Sequence, residues 1–222
     1  MSQRPLPETV LFDLDGTLVD NFTAIHLCTN QVLEVMGFGP VSYETVCGSV
    51  GGGALRTMTK LVGEANAATA ARLYLDHFPS VMFEGVKVYA GAREILKALR
   101  SRGVTVAVLT NKDHGNSIKL LVHLGMSDDT DGIFGTNVVP WRKPHPGFTH
   151  YALAQLGGRD ASTACMVGDS PFDIETARQG GLAAAHAVAT GTHKAEELAP
   201  HGPDTLHPDL PTLAREAWGI DL

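Results

Sequence analysis

The first clear pattern along the chain is a run of β-branched or bulky residues, Thr9 to Phe12, bounded upstream by Pro7, which predicts a short buried strand. From Asp20 to Met36 the spacing lengthens to a helical period: Phe22, Ile25, Val32, Val35 and Met36 recur on one face, and Gly37 is a plausible terminator. Ser42 can start a short helix. The face made by Leu55, Met58, Leu61 and Val62, and the alanine-rich run from Glu64 to Phe83, predict two more helices. Between Asp20 and Phe83 nothing alternates as a strand would.

Beyond Val86 the pattern changes. Gly91 to Arg100 reads as a helix with Ile95, Leu96 and Leu99 inward and Gly103 as its stop, and Val104 to Leu109 as a strand buried on both faces. Strand and helix then alternate: helix at 117–124, strand at 132–134, helix at 148–156, strand at 163–167, helix at 174–179, strand at 182–188, a short helix at 194–198, an edge strand at Thr205 and Leu206, and a last helix at 213–218. Alternation of this kind implies a parallel sheet covered on both faces. The expected architecture is therefore an α/β doubly wound parallel sheet formed by residues 1–19 and 86–222, interrupted by a helical unit at 20–85. The segment from Pro200 to Pro211 reads as surface loop apart from the edge strand.

Candidate chemistry begins where the first strand ends. Asp13 and Asp15, two residues apart, project in the same direction, and carboxylates held that close repel unless a cation lies between them or one keeps its proton. Gly16 lets the backbone leave abruptly, and Thr17 adds a hydroxyl. A calcium loop fails on spacing, because Gly16 is fourth from Asp13 and the twelfth residue is Ala24. A solvated turn is the bland alternative. A carboxylate nucleophile, a second carboxyl that gives and takes a proton, and a hard cation make a phosphoryl-transfer kit.

In an open parallel sheet, ligands bind beyond the carboxyl ends of the strands. The residues following each predicted strand are then Thr110 and Asn111, phosphate hydrogen-bonders without charge; Lys143, a neutralising ammonium; and Asp169, an oxygen ligand for Mg²⁺, with Asp173 four residues on to hold a metal-bound water or orient Lys143. Taken singly, a helix cap at Thr110-Asn111, a solvated lysine and a capping signal before Pro171 explain them equally well. Their joint placement after successive strands is what points to one site.

The stretches DLDGTLVD, LTNK, KPHPG and GDSPFDIETA, in this order, resemble the four signature motifs of the haloacid dehalogenase superfamily of phosphohydrolases, and the helical insertion resembles that family's C1-type cap in the phosphoglycolate phosphatase branch. The resemblance implies that Asp13 is the nucleophile forming an aspartyl-phosphate, that Asp15 protonates the leaving oxygen and lends a backbone carbonyl to Mg²⁺, that Thr110 and Asn111 hold the phosphoryl group, that Lys143 screens charge, that Asp169 ligates the metal and that Asp173 supports it. It implies hydrolysis of a small phosphate monoester, phosphoglycolate first. An acid at Asp15 sets the chain apart from the superfamily's dehalogenases and phosphonatases. A phosphosugar mutase keeps both acids, and a non-catalytic metabolite-binding regulator keeps the fold.

Composition adds limits. At 222 residues and 44% hydrophobic, one substantial core and a smaller unit are expected. A net charge of −7 argues against a nucleic-acid partner and leaves a small phosphorylated metabolite as the expected one, bound where a local cation reverses the field. Three cysteines in no metal-type spacing suggest a reducing compartment, with Cys165 a buried thiol. The absence of eighteen successive apolar residues or a secretion-type leader leads us to expect no membrane span and a cytoplasmic location. Nothing in the pattern selects monomer over homodimer. Gly51 to Gly53 follow no strand and lack a Walker lysine, so they read as a hinge or specificity loop. Arg56, just beyond, is the insertion's candidate for a substrate carboxylate, against the alternative of a solvated helix arginine. His145, His193, His201 and His207 show no ligand spacing and are expected at the surface, and Trp141 either walls the pocket or covers the core.

Overall fold

The computed structural model describes residues 6–222. Six strands form one parallel sheet: β1 (Thr9–Phe12), β4 (Thr105–Asp113), β5 (Gly132–Thr136), β6 (Ala164–Gly168), β7 (Ala184–Val188) and β8 (Thr205–His207), in the spatial order β5-β4-β1-β6-β7-β8. β1 is central, flanked by β4 and β6, with Phe12 level with Val108 and Val167. All four β1 residues are buried because the two faces are covered separately. Val10 and Phe12 join Val106, Val108 and Val167 in one apolar cluster, while Leu11 joins Ala107, Leu109 and Met166 in the other. This is the period-2 geometry of a strand applied to a sheet sandwiched between helices.

Helices α5 (Ala92–Arg100) and α10 (Leu210–Trp218) cover the first face, and α7 (Pro146–Gln155) and α8 (Pro171–Gln179) the second; α6 (His114–His123) follows β4, and the single turn α9 (Ala195–Leu198) follows β7. The strand expected at 104–109 runs on to Asp113, because after an irregularity past Leu109 it pairs again with β5, Asp113 opposite Thr136. Thr110 and Asn111 therefore belong to a strand end rather than to the loop beyond it.

Four helices, α1 (Phe22–Val35), α2 (Tyr43–Cys47), α3 (Ala54–Val62) and α4 (Glu64–His77), form the insertion. Two short strands, β2 (Val19–Asp20) and β3 (Lys87–Val88), pair antiparallel where the chain leaves the sheet and where it returns. The sequence pattern carries no sign of this two-residue ribbon. Three side chains depart from expectation. Val35, assigned to the buried face of α1, is 75% exposed beside a shallow groove shared with Leu73 and His77. Leu55, assigned to the packed face of α3, is half exposed because it lines the cleft described below. His207, expected at the surface, is buried as the last residue of β8 and hydrogen-bonds Glu216 of α10. Among the described residues, no helix is long and apolar enough to cross a membrane.

Candidate active site

The carboxyl ends of β1, β4 and β6 meet at one point, and Asp13 occupies it. Its backbone N–H continues the β1–β6 ladder by donating to the Val167 carbonyl at 2.9 Å, which fixes the side chain at the sheet edge. Oδ1 of Asp13 accepts from the Leu14 N–H at 2.7 Å and lies 2.9 Å from Lys143 Nζ; Oδ2 has no hydrogen-bond or ion-pair partner among the described residues. Burial pushes the Asp13 carboxyl above its ordinary range, and the nearby Lys143 ammonium opposes that push.

Lys143 is the common counter-ion. Its ammonium contacts Asp13 and, at 2.6 Å, Asp173 Oδ1. Burial alone would lower its pKa, but the two carboxylates more than offset this and the net shift is upward, so the site holds a charged lysine. Asp173 presents its other oxygen to both the N–H and the hydroxyl of Ser170, the residue preceding α8. Asn111 fixes Lys143 from the backbone side: its Oδ1 accepts from the Lys143 N–H at 2.8 Å, and its Nδ2 donates to the Lys143 and Gly51 carbonyls. Both amide protons are thus committed. The expectation that this side chain holds a phosphate oxygen is corrected to a clamp joining the lysine loop to the glycine turn of the insertion.

Asp169, just after β6, is 1% exposed. Thr17 donates to its Oδ1, while the N–H and hydroxyl of Thr192 donate to its Oδ2. Gly16, at φ +88°, lies so close that a Cβ there would sit 2.5 Å from Asp169 Oδ2, and a Cβ on Gly191 would also collide with this carboxyl. Burial, with Asp13 and Asp173 adding to it, pushes the Asp169 carboxyl up to about 7.

Asp13, Asp169 and Asp173 offer oxygens all within 4.8 Å of one another. Three clustered buried carboxylates, of which only Asp13 and Asp173 contact the Lys143 ammonium, leave an excess of negative charge, and an all-oxygen donor set selects a hard divalent cation. The residues therefore fit a divalent metal ion. Asp173 is ion-paired to Lys143 at 2.6 Å, whereas Asp169 accepts only from neutral N–H and hydroxyl groups, so Asp169 is the better placed of the two to face such an ion.

Asp15 faces the other way. Lys112 Nζ bridges both of its oxygens at 3.1 and 3.2 Å and rests 4.4 Å from the ring centre of Phe78, in the insertion. Burial raises the Asp15 carboxyl, Lys112 opposes and Asp13 reinforces the rise. Asp13, Asp15, Thr110 and Lys112 floor a cleft of about 130 Å³ whose opposite wall is supplied by the insertion, including Val50, Met58 and Tyr74.

Seven of the eight positions singled out from sequence thus converge: Asp13, Asp15, Thr110, Asn111, Lys143, Asp169 and Asp173. Arg56 does not line this cleft. Its guanidinium lies 4.8 Å over the ring of Phe172, in a neighbouring groove. Arg142 lines both, and sequence reasoning passed over it. It also missed Lys112, whose only signal was its place after Thr110-Asn111, and Thr190 and Thr192. The rule that directed attention to the strand ends, applied to β7, would have found this pair: Thr190 donates to the Gly16 carbonyl and Thr192 to Asp169. Trp141 is exposed and stacks on His145.

The haloacid dehalogenase-like hydrolase family matches residues 10–187. Phosphoglycolate phosphatase of Rhodospirillum rubrum is 36% identical over 188 residues, 80% of this chain and 78% of its own, and that of Cereibacter sphaeroides (strain ATCC 17025) is 32% identical over 93% of this chain and 97% of its own. A crystal structure described as a predicted phosphoglycolate phosphatase of Haemophilus somnus superposes with a TM-score of 0.82 at 25% identity, covering 91% of this chain and 94% of that one. A family match over most of the sheet and its insertion, relatives aligned along nearly the full length, and an acid-lysine cluster at the strand ends agree: the chain belongs to the haloacid dehalogenase-like hydrolases, on their phosphoglycolate phosphatase-like branch, and is a phosphoric monoester hydrolase.

Proposed function

We propose that this enzyme hydrolyses a small phosphate monoester, phosphoglycolate first among candidates, through an aspartyl-phosphate on Asp13 and with Mg²⁺ bound. The observation that carries this is the asymmetry of Asp13: one oxygen is tied to Leu14 and Lys143, while the other is free at the edge of the cleft. The free oxygen attacks phosphorus; the new bond joins Asp13 to phosphorus as the ester P–O bond breaks. Asp15, whose half-buried carboxyl has a raised pKa, gives its proton to the departing alkoxide oxygen. It then takes a proton from water attacking the phosphoryl-aspartate, which restores the Asp13 carboxylate and releases inorganic phosphate.

Thr110, which lines the cleft with Asp13, offers its hydroxyl to the phosphoryl group, and Lys143 neutralises charge that accumulates as the dianion approaches Asp13. Asp13 and Asp169 would hold a divalent ion, with Asp173 behind them and the Asp15 backbone carbonyl as the further ligand the family resemblance implies, and such an ion would supply electrostatic stabilisation of the phosphoryl oxygens. Arg142, at the cleft margin, offers a guanidinium for a substrate carboxylate, which together with the named relatives supports phosphoglycolate. The helical insertion acts as a cap that excludes water from the cleft.

Phosphate release from a panel of small monoesters, with and without Mg²⁺, tests the reading. Release should require the metal, favour phosphoglycolate and vanish in Asp13→Asn. Metal-independent release, equal release by the variant, or interconversion of sugar phosphate isomers seen by NMR without phosphate release would each overturn it.

A further inference from the structure

A second groove, of about 620 Å³, follows the seam between α3 and the loop before α7 and adjoins the Asp15 cleft at Leu55 and Arg142. Arg56 and Lys60 reach it from α3, Arg142 and His145 from the facing loop, and Phe172 forms part of its floor. None of its lining residues is Asp or Glu, although the chain as a whole carries a net charge of −7.

Lys143, which also lines the groove, is ion-paired to Asp13 and Asp173, but among the described residues no ion pair involves Arg56, Lys60 or Arg142. The Arg56 guanidinium lies over Phe172, and Lys60 donates to the Gly48 carbonyl at 3.2 Å. Arg56 and Lys60 stand four residues apart on one helix, a like-charge spacing that is unfavourable unless an anion shares it. Burial, and Arg56 after it, lowers the Lys60 pKa, as expected where positive charge is in local excess.

We propose that this groove is a second anion site, taking a small metabolite with two phosphate groups that bridges Arg56 and Lys60 of the insertion to Arg142 of the α/β body. Three cations from two facing elements match a ligand of about three negative charges, and the open volume excludes neither phosphate. A single phosphate engages one side only. The proposal goes beyond the hydrolytic reading and shares Arg142 with it, so its readout is binding rather than turnover.

Calorimetric titration of pyrophosphate into the metal-free full-length protein at low ionic strength tests it. One site is expected, at least tenfold tighter than for inorganic phosphate, weakened at least tenfold in the double variant Arg56→Gln/Lys60→Gln, and unchanged within twofold in Asp13→Asn. Both substituted side chains are exposed, and a thermal melt matching wild type establishes that the double variant folds. Lys60→Glu alone should weaken binding further than Lys60→Gln. The proposal is overturned if pyrophosphate does not bind, if the double variant binds as wild type does, or if Asp13→Asn alters affinity tenfold, which would locate the ligand in the catalytic cleft.

Discussion

Lys143 has no side-chain exposure and is bonded to two carboxylates, so removing its charge leaves both buried acids short of a partner. Lys143→Met should therefore destabilise the protein by about 3–5 kcal/mol, read by urea denaturation, in addition to losing turnover. Lys112 makes a subtler prediction. Its ammonium holds the Asp15 pKa down against burial, so Lys112→Met should raise that pKa further. If Asp15 must be protonated to assist the leaving group, the high-pH limb of the kcat/KM profile moves upward with it; a fixed limb would remove Asp15 from that role. Gly16 is constrained twice, by a positive φ and by the Asp169 carboxyl against its Cα, and Gly16→Ala should cost more than about 1 kcal/mol. At this scale the acids were legible because Asp13, Asp15 and Asp169 each stand just beyond the end of a strand. The tasks of Asn111 and Lys112 were not, since a side chain's partners depend on distant segments such as the glycine turn and Phe78.

The elements themselves were largely visible in the spacing of apolar residues, because a strand buried on both faces and an amphipathic helix leave different periods. What escaped were the ends. β4 runs four residues past its apolar run because β5 offers renewed pairing, and α8 starts at Pro171 rather than Ile174 because Ser170 and Asp173 organise its first turn. The glycine turn at Gly51 to Gly53 turned out to be a contact: Gly51 approaches Phe172, and a Cβ on Gly53, at φ +84°, would lie 3.1 Å from the Asn111 carbonyl. Gly53→Ala should push the insertion off Asn111 and raise KM more than it lowers kcat. Steady-state kinetics on the preferred monoester decides this, and an unchanged KM would mean that the turn adapts elsewhere.

Across the whole molecule, the acid cluster sets how stability depends on pH. Asp169 has a folded-state pKa of about 7 against an ordinary 3.8, and Asp13 and Asp15 shift in the same direction, so the folded state binds more protons than the unfolded one between these values. Without metal, this contribution is fully present below about pH 4 and is lost as pH rises through about 7. Mg²⁺ should accordingly raise Tm more at pH 8 than at pH 5; calorimetry showing an equal rise would mean that the ion does not compete with those protons. The parallel sheet and its interruption by helices followed from alternation alone, whereas the strand order around β1 did not. The antiparallel ribbon did not, because two residues carry no period.

That ribbon has a further consequence. With Val19 opposite Val88, the points at which the helices depart and rejoin are neighbours, so the sheet sees the insertion as it would a single surface loop. A helical unit from a relative can then be spliced between these residues without stretching the strands that carry the reacting acids. Selectivity and reactivity become separately inherited, and a chimera should take its preferred ester from one parent and its chemical step from the other.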